Sequence, residues 1–141
     1  MPSGFLGYIQ IEYEYDDEGN QTVKLTYAYN SASATLLPST KSLDEYNTFG
    51  IATLHRQFSF YNDVEAWVEV SRIERECNNE GKVIEQTTYI KPDSELIPKW
   101  KDIIVYYAAD GRVKEKVSMD WDPDSLAWKN YDRRLYIYDD T

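Results

Sequence analysis

A glycine turn that recurs at nearly constant spacing is the feature that most constrains how this 141-residue chain folds. The pattern Y-x-x-x-G begins at Tyr15, Tyr46 and Tyr107, and at Cys77 with cysteine in place of tyrosine. Tyr138 opens a fifth copy. The four glycines lie at positions 19, 50, 81 and 111, so they are 31, 31 and 30 residues apart. A period of this length is typical of a protein built from one repeated supersecondary unit.

The residues that follow each glycine predict a strand. Positions 4, 6, 8 and 10 after the glycine are mostly apolar or aromatic and share one strand face, and a period of two is typical of a half-buried strand. Acidic turns such as DDEGN and AADGR suit the positive-φ positions of hairpin loops. The set at position 8 is expected in the core: Tyr27, Phe58, Tyr89 and Met119.

A second loop and a return strand complete each unit. The loops KPDSELIP and DPDSLA lead to Trp100 and Trp128, and Trp67 is the equivalent in the second unit. We therefore predict one domain, 1–141, made of four β-hairpins of about 31 residues. The predicted units are 19–49, 50–80, 81–110 and 111–141, preceded by a lone strand at 8–15. This gives about nine antiparallel strands in meander order and little helix.

Residues 30–46, NSASATLLPSTKSLDEY, depart from the pattern because they lack a tryptophan and the return strand has lost its apolar alternation. They predict a long loop or a short helix. A meander of nine strands must also cover its apolar face. It can form a curved sheet that curls into an open barrel, fold into a two-layer sandwich, or dimerise.

Composition limits the classes of partner. A hydrophobic content of 42%, with 15% aromatic residues, indicates a folded protein. The net charge of −10 argues against nucleic acid and anionic membrane surfaces, since phosphate binding needs basic clusters. Cys77 is the only cysteine, which excludes an intrachain disulfide. The sequence contains no apolar run of membrane-spanning length and no signal peptide, and we expect either a cytosolic protein or a mature form.

The turns and the tryptophans resemble two known groups of proteins. YAADGRVKEKV is similar to the tyrosine–aspartate (YD) repeats of large bacterial surface and toxin-shell proteins. Turns such as YDDEGN, with the W…K…Y-x-YD rhythm, resemble small secreted Bacteroidetes proteins of uncharacterised function. The second resemblance implies export to the periplasm or cell surface and no known catalytic residues. The first unit departs from it by lacking tryptophan.

The residues that could perform catalysis are few. His55 is the only histidine, lies on the strand face opposite Leu54 and Phe58, and shows no serine-hydrolase signature. Cys77 occupies the place of a repeat tyrosine, so we expect a buried side chain rather than a thiol nucleophile. The carboxylates mostly lie in turns or alternate with Lys and Arg, as on a solvated sheet face. We therefore predict a noncatalytic protein, with a carboxylate-dependent hydrolase as an alternative.

The segment Asp120-Trp-Asp122-Pro-Asp124 is the sharpest polar motif. Carboxylates at alternate positions begin many calcium loops because Ca²⁺ prefers hard oxygen ligands. Leu126 replaces the expected glycine, and Tyr131 replaces the closing glutamate. We therefore interpret the segment as an ordinary Pro-Asp turn and predict no cofactor, with calcium binding as the alternative.

Tryptophans near the second loop give the main binding hypothesis. Trp67, Trp100 and Trp128 recur at one place in successive hairpins, either as core plugs or as a surface that stacks on sugar rings or on a partner protein. Trp121 and Tyr29, at the far ends of outgoing strands, would widen that surface. We predict a secreted or surface binding module that recognises polysaccharide or protein. A structural or protein-interaction repeat within a larger array is the alternative.

Overall fold

The structure is a computed structural model, and it describes residues 8–139, which form one open sheet of nine antiparallel strands in chain order. The strands are β1 (Ile9–Tyr15), β2 (Gln21–Asn30), β3 (Thr35–Tyr46), β4 (Ala52–Tyr61), β5 (Ala66–Cys77), β6 (Val83–Ile90), β7 (Ile97–Tyr106), β8 (Val113–Asp122) and β9 (Ala127–Leu135). The predicted all-β meander is confirmed. Among residues 8–139, every substantial contact between strands joins neighbours in the chain, so the sheet is a single open layer.

The glycine turns join β1 to β2, β3 to β4, β5 to β6 and β7 to β8. All four glycines have φ between +68° and +84°, the left-handed region that costs other residues free energy. The first residue of each of the first three turns, namely Asp16, Asn47 or Asn78, accepts a backbone N–H four residues ahead with its side chain. The fourth turn holds one extra residue, because Tyr106 takes the strand position of the repeat tyrosine.

Successive glycine turns stack on one another at one end of the sheet. A Cβ atom added to Gly81 would lie 2.5 Å from Cγ of Phe49 in the preceding turn. One added to Gly111 would meet Nζ of Lys82, whereas Gly19, in the first turn, faces open space. Gly81 is therefore required both for its backbone conformation and for its close contact with the turn before, whereas the Lys82 side chain beside Gly111 can move away.

Long side chains also tie each turn to the preceding one. The Tyr46 hydroxyl donates to the carbonyl oxygen of Gln21 at 2.9 Å, and the Tyr106 hydroxyl donates to that of Val83 at 2.8 Å. Cys77 cannot make the equivalent bond, and Arg75 Nη1 donates to the carbonyl oxygen of Ala52 at 2.9 Å instead. Cys77 is half-exposed, so the expectation that it is buried is wrong.

Residues 35–46 form strand β3, so the prediction of a loop or a helix for this stretch is wrong. Pairing on both sides, with β2 and β4, outweighs the irregular sequence. Pro38 is tolerated in a central strand because it adjoins a β-bulge, where Tyr27 pairs with Pro38 and Thr26 pairs with Thr40. The same kind of register shift occurs in the other three hairpins that the second loops close, and bulges of this kind increase sheet twist.

Directly paired residues share a face of the sheet, so the register divides the side chains into two sets. We call one the tryptophan face, because it carries Trp67, Trp121 and Trp128. We call the other the isoleucine face, because it carries Ile73, Ile90 and Ile97. The two faces are both open to solvent, since no second layer lies on either among the described residues.

A single layer leaves little closed interior. Among residues 8–139, Phe58 is the only apolar side chain that reaches the buried range, at 9% exposure. The other members of its repeat set, Tyr27, Tyr89 and Met119, are only half-buried, so the predicted core does not form as a closed layer. The sheet is held by its hydrogen-bond ladders and by side-chain contacts along each face.

Candidate functional site

Two aromatic clusters lie on the tryptophan face, at the loop ends of hairpins β4–β5 and β8–β9. In the first, Phe60 and Trp67 pair across the strands with ring centroids 5.1 Å apart and planes at 67°. In the second, Trp121 and Trp128 do the same at 5.2 Å and 71°. Both are edge-to-face arrangements, which the electrostatic quadrupoles of the aromatic rings favour. Trp67 in β5 and Trp128 in β9 are four strand spacings apart, or about 19 Å across the sheet.

A lysine from a neighbouring strand lies over each cluster. Nζ of Lys41 is 5.0 Å from the Trp67 ring and 4.9 Å from the Phe58 ring. Nζ of Lys101 is 5.2 Å from the Trp128 ring and pairs with Glu85 at 2.5 Å. A cation over an aromatic face is attracted by the ring quadrupole. Within the described residues Lys41 has no carboxylate partner, so the first cluster presents a positive charge beside its rings.

An ion-pair network holds the strands beneath the first cluster. Glu69 accepts two hydrogen bonds from Arg56, both 3.0 Å, and two from Arg72, at 2.8 and 3.0 Å. The hydrogen bonds from Arg72 and then Arg56 lower the pKa of Glu69 to about 2. The Arg56 guanidinium also lies 5.0 Å from the Phe58 ring. The network links β4 to β5 next to the Phe60–Trp67 pair.

Tyr29, the fourth predicted binding residue on this face, lies at the loop end of β2 and contacts the Tyr8 ring at 6.4 Å. Trp100 does not belong with the others, because it pairs with Thr88 and Asp120 on the isoleucine face. The residue before Ile97, namely Leu96, occupies the place that Trp67 and Trp128 take in their hairpins. The prediction that the three tryptophans recur at one place is therefore wrong for Trp100.

Trp100 instead belongs to a buried polar cluster around Asp102. Its Nε1 donates to Asp102 Oδ1 at 3.1 Å, Ser118 Oγ donates to the same oxygen at 2.6 Å, and Lys116 Nζ lies 3.0 Å from Oδ2. Burial raises the pKa of Asp102, but the hydrogen bonds from Ser118 and Lys116 lower it more, so it lies below its ordinary value. The Trp100 ring also packs on Tyr131 at 5.1 Å. Trp100 therefore has a structural role, as part of the cluster around Asp102.

His55 lies on the isoleucine face, as the alternation predicts, with Nδ1 2.7 Å from Asp44 Oδ1. It pairs across the strands with Ile73, whereas Cys77 lies four residues farther along the same strand. That separation is about 13 Å along the strand, so the histidine and the thiol are not brought together. The His55–Asp44 pair borders a shallow depression of about 360 Å³ lined mainly by Ser, Thr, Gln and Lys side chains.

The Asp120–Asp122–Asp124 segment spans the end of β8 and the following loop. Asp122 forms an ion pair with Lys129 and accepts a hydrogen bond from Ser125 at 2.7 Å, and these contacts lower its pKa to about 2. Across 8–139, no group of three or more acidic, histidine or cysteine side chains is placed to hold a metal ion. Calcium binding stays an alternative hypothesis from the sequence.

Phe60, Lys41 and Lys101 belong to the site, although they are not among the binding residues predicted from the sequence. Phe60 stands ten residues after Gly50, the same offset that identified Tyr29 and Trp121, so the repeat contained its signal. The two lysines carry no such signal, because they reach the rings from β3 and β7 through the register of neighbouring hairpins.

Comparisons with known proteins reach the fold alone. No family model matches this chain, and no curated protein matches it. A protein of unknown function from Bacteroides fragilis NCTC 9343 is similar in structure, with a TM-score of 0.64 and 15% identity over 93% of this chain and 94% of that one. DUF3836 family proteins from Parabacteroides distasonis ATCC 8503 and Bacteroides vulgatus ATCC 8482 give TM-scores of 0.43 and 0.45, each at 10% identity. They cover 92% and 87% of this chain and 91% and 90% of their own.

The Bacteroides fragilis protein agrees with a resemblance to uncharacterised Bacteroidetes proteins at the level of fold. The resemblance to YD repeats and the expectation of export stay predictions. No helix capable of crossing a membrane occurs between residues 8 and 139.

Proposed function

We propose that this protein is a noncatalytic, secreted or surface-exposed binding module whose tryptophan face recognises polysaccharide. The observation that carries the proposal is the pair of matching aromatic clusters, Phe60–Trp67 and Trp121–Trp128, each beside a lysine on one uncovered face. Aromatic rings stack on the apolar faces of sugar rings, and flanking polar groups bind their hydroxyls. Two clusters on one rigid sheet would bind one extended chain at two points.

Two binding points on one sheet give an avidity argument. A polysaccharide that is bound at one cluster presents its next segments to the other at high effective concentration. Each cluster can therefore be weak while retention on a polymer is strong. Export is supported only by the resemblance to small secreted proteins that the turn sequences carry.

The test is retention of the purified protein in gels that contain neutral or acidic polysaccharides. We expect the parent chain to be retarded by at least one polymer, Trp67→Ala and Trp128→Ala to be retarded less, and the double variant not at all. Trp100→Ala is the matched control, because the same residue type is removed from the opposite face. Circular dichroism and the unfolding midpoint must show that each variant is folded.

Two results would overturn the proposal. Migration of the parent chain that no polysaccharide alters would argue for a protein partner. Equal loss of retention in folded Trp67→Ala and Trp100→Ala would show that the tryptophan face is not the binding surface.

A further inference from the structure

The chain exposes more surface than a compact monomer of its mass. Its accessible surface is 10,060 Å², whereas a folded monomer of 16.5 kDa exposes about 7,500 Å². The excess of about 2,500 Å² is roughly three times the 800 Å² that each partner buries in a standard protein–protein interface. A single layer explains the excess, since both faces of the sheet lack a covering layer among residues 8–139.

The two faces differ in charge, and the difference indicates which one a second protein layer would cover. At the positions of β5–β7 that are paired across strands outside the β-bulges, the tryptophan face carries six charged side chains, from Glu69 to Lys101. The isoleucine face of the same strands carries only Arg75 and Asp102 at such positions. Around them lies what we call the isoleucine patch: Val68, Ile73, Ile84, Ile90, Ile97 and Ile104.

Both charged side chains within the patch already have hydrogen-bond partners inside the chain, and Asp102 is also ion-paired with Lys116. Arg75 donates to Gln86 Oε1 at 2.7 Å and to the Ala52 carbonyl oxygen. Asp102 is 8% exposed and is bound by Ser118, Trp100 and Lys116. A buried charge is tolerated when it is paired and hydrogen-bonded, as that of Asp102 is, and the hydrogen bonds to neutral acceptors lower the cost of covering Arg75. Both groups would therefore keep these partners if the patch became the inner face of a two-layer sandwich.

We propose that the isoleucine patch packs against the same patch of a second copy of this chain, forming a two-layer homodimer. A two-fold axis makes such an interface self-complementary, so one half-buried aliphatic patch supplies both sides. Twisted sheets pack face to face with their strands about 30° apart and their backbones about 10 Å apart. The dimer leaves both tryptophan faces outward. The inference rests on area and charge alone and is independent of polysaccharide recognition.

The test is the solution mass of the full chain, measured by light scattering and sedimentation across a range of concentrations. We expect twice the monomer mass of 16.5 kDa at micromolar concentration and above. Ile103 and Ile104 provide a matched pair, because they are adjacent, identical and on opposite faces of β7. Ile104→Gln places two amides in the interface and should weaken dimerisation at least about tenfold. Ile103→Gln should leave the dissociation constant unchanged.

Ile73→Gln, at the centre of the patch, is the second interface variant, and all three variants are checked for folding by circular dichroism. A parent chain that is still monomeric at a protein concentration on the order of 100 micromolar would overturn the proposal. So would a dimer that Ile103→Gln dissociates while Ile104→Gln and Ile73→Gln do not, since the interface would then lie on the tryptophan face.

Discussion

Replacing Glu69 by glutamine removes the charge that holds two arginines on the tryptophan face. The Glu69 side chain is 13% exposed, and those of Arg56 and Arg72 are about one-third exposed. The pKa of Glu69 falls from 4.5 to about 2 because of these partners. At roughly 1.4 kcal/mol per pKa unit, this shift corresponds to an upper limit of about 3 kcal/mol. Partial exposure of the arginines reduces the expected loss to about 2 kcal/mol, because water screens the pair.

The same shift predicts how the loss depends on pH. The folded-state pKa lies below the unfolded value, so the carboxylate stabilises the folded chain fully above pH 4.5 and loses that contribution as the pH falls toward 2. At pH 3 more than half of the contribution should be gone. The difference in unfolding free energy between the parent and Glu69→Gln should therefore shrink by more than half between pH 7 and pH 3.

Urea unfolding followed by tryptophan fluorescence, at both pH values, measures this difference. Glu74→Gln is the matched control: Glu74 lies on the same strand and face, is 44% exposed, and pairs with Arg72 at 3.3 Å. Its loss should be below about 1 kcal/mol, as for exposed pairs generally. A Glu69→Gln loss no larger than that of Glu74→Gln, or one that is constant with pH, would show that the Glu69 carboxylate is not the source of this stability.

Three further changes test the turns and the buried polar cluster by the same unfolding assay. Gly81→Ala should cost about 2–3 kcal/mol, because it adds a steric clash to the strain of positive φ, whereas Gly19→Ala should cost about 1 kcal/mol; equal costs would show that the turns do not stack. Arg75→Met should cost about 1 kcal/mol because it removes the hydrogen bond to the Ala52 carbonyl oxygen, and adding Cys77→Tyr should restore that stability, since tyrosine makes the equivalent bond in other turns. If the effects of the two changes simply add, Arg75 does not stand in for the missing tyrosine. Asp102→Asn should cost about 2–3 kcal/mol, and a cost below about 0.5 kcal/mol would show that the buried polar cluster contributes little to stability.

The strand order could be predicted because its determinants are local. The glycines at 19, 50, 81 and 111 mark the turns where only glycine adopts the backbone conformation at low cost, and the alternation between them marks the strands. Strand β3 could not be predicted, because Thr35–Tyr46 gains its extended conformation from hydrogen bonds to two neighbouring strands. Pairing of this kind is a tertiary effect that no local propensity records.

The candidate site was predictable in part for a related reason. Trp67, Trp121 and Trp128 stand at fixed offsets from the turns, so the repeat placed them on one face. The prediction put Trp100 on the wrong face because the third hairpin places Leu96 where the second and fourth place Trp67 and Trp128. A bulge then shifts the register of β7, and a shift by one residue reverses the face of every side chain beyond it.

Pairing only between strands adjacent in the chain has a consequence for how the molecule forms. Each ladder closes over a short stretch of chain, so the entropy cost of every contact is small for an all-β protein. Folding can begin in any hairpin and propagate outward in both directions, in the manner of a one-dimensional array. For the same reason, deletion or duplication of one whole 31-residue unit would join strands whose partners are still present. The number of units can thus change in evolution without any change in topology.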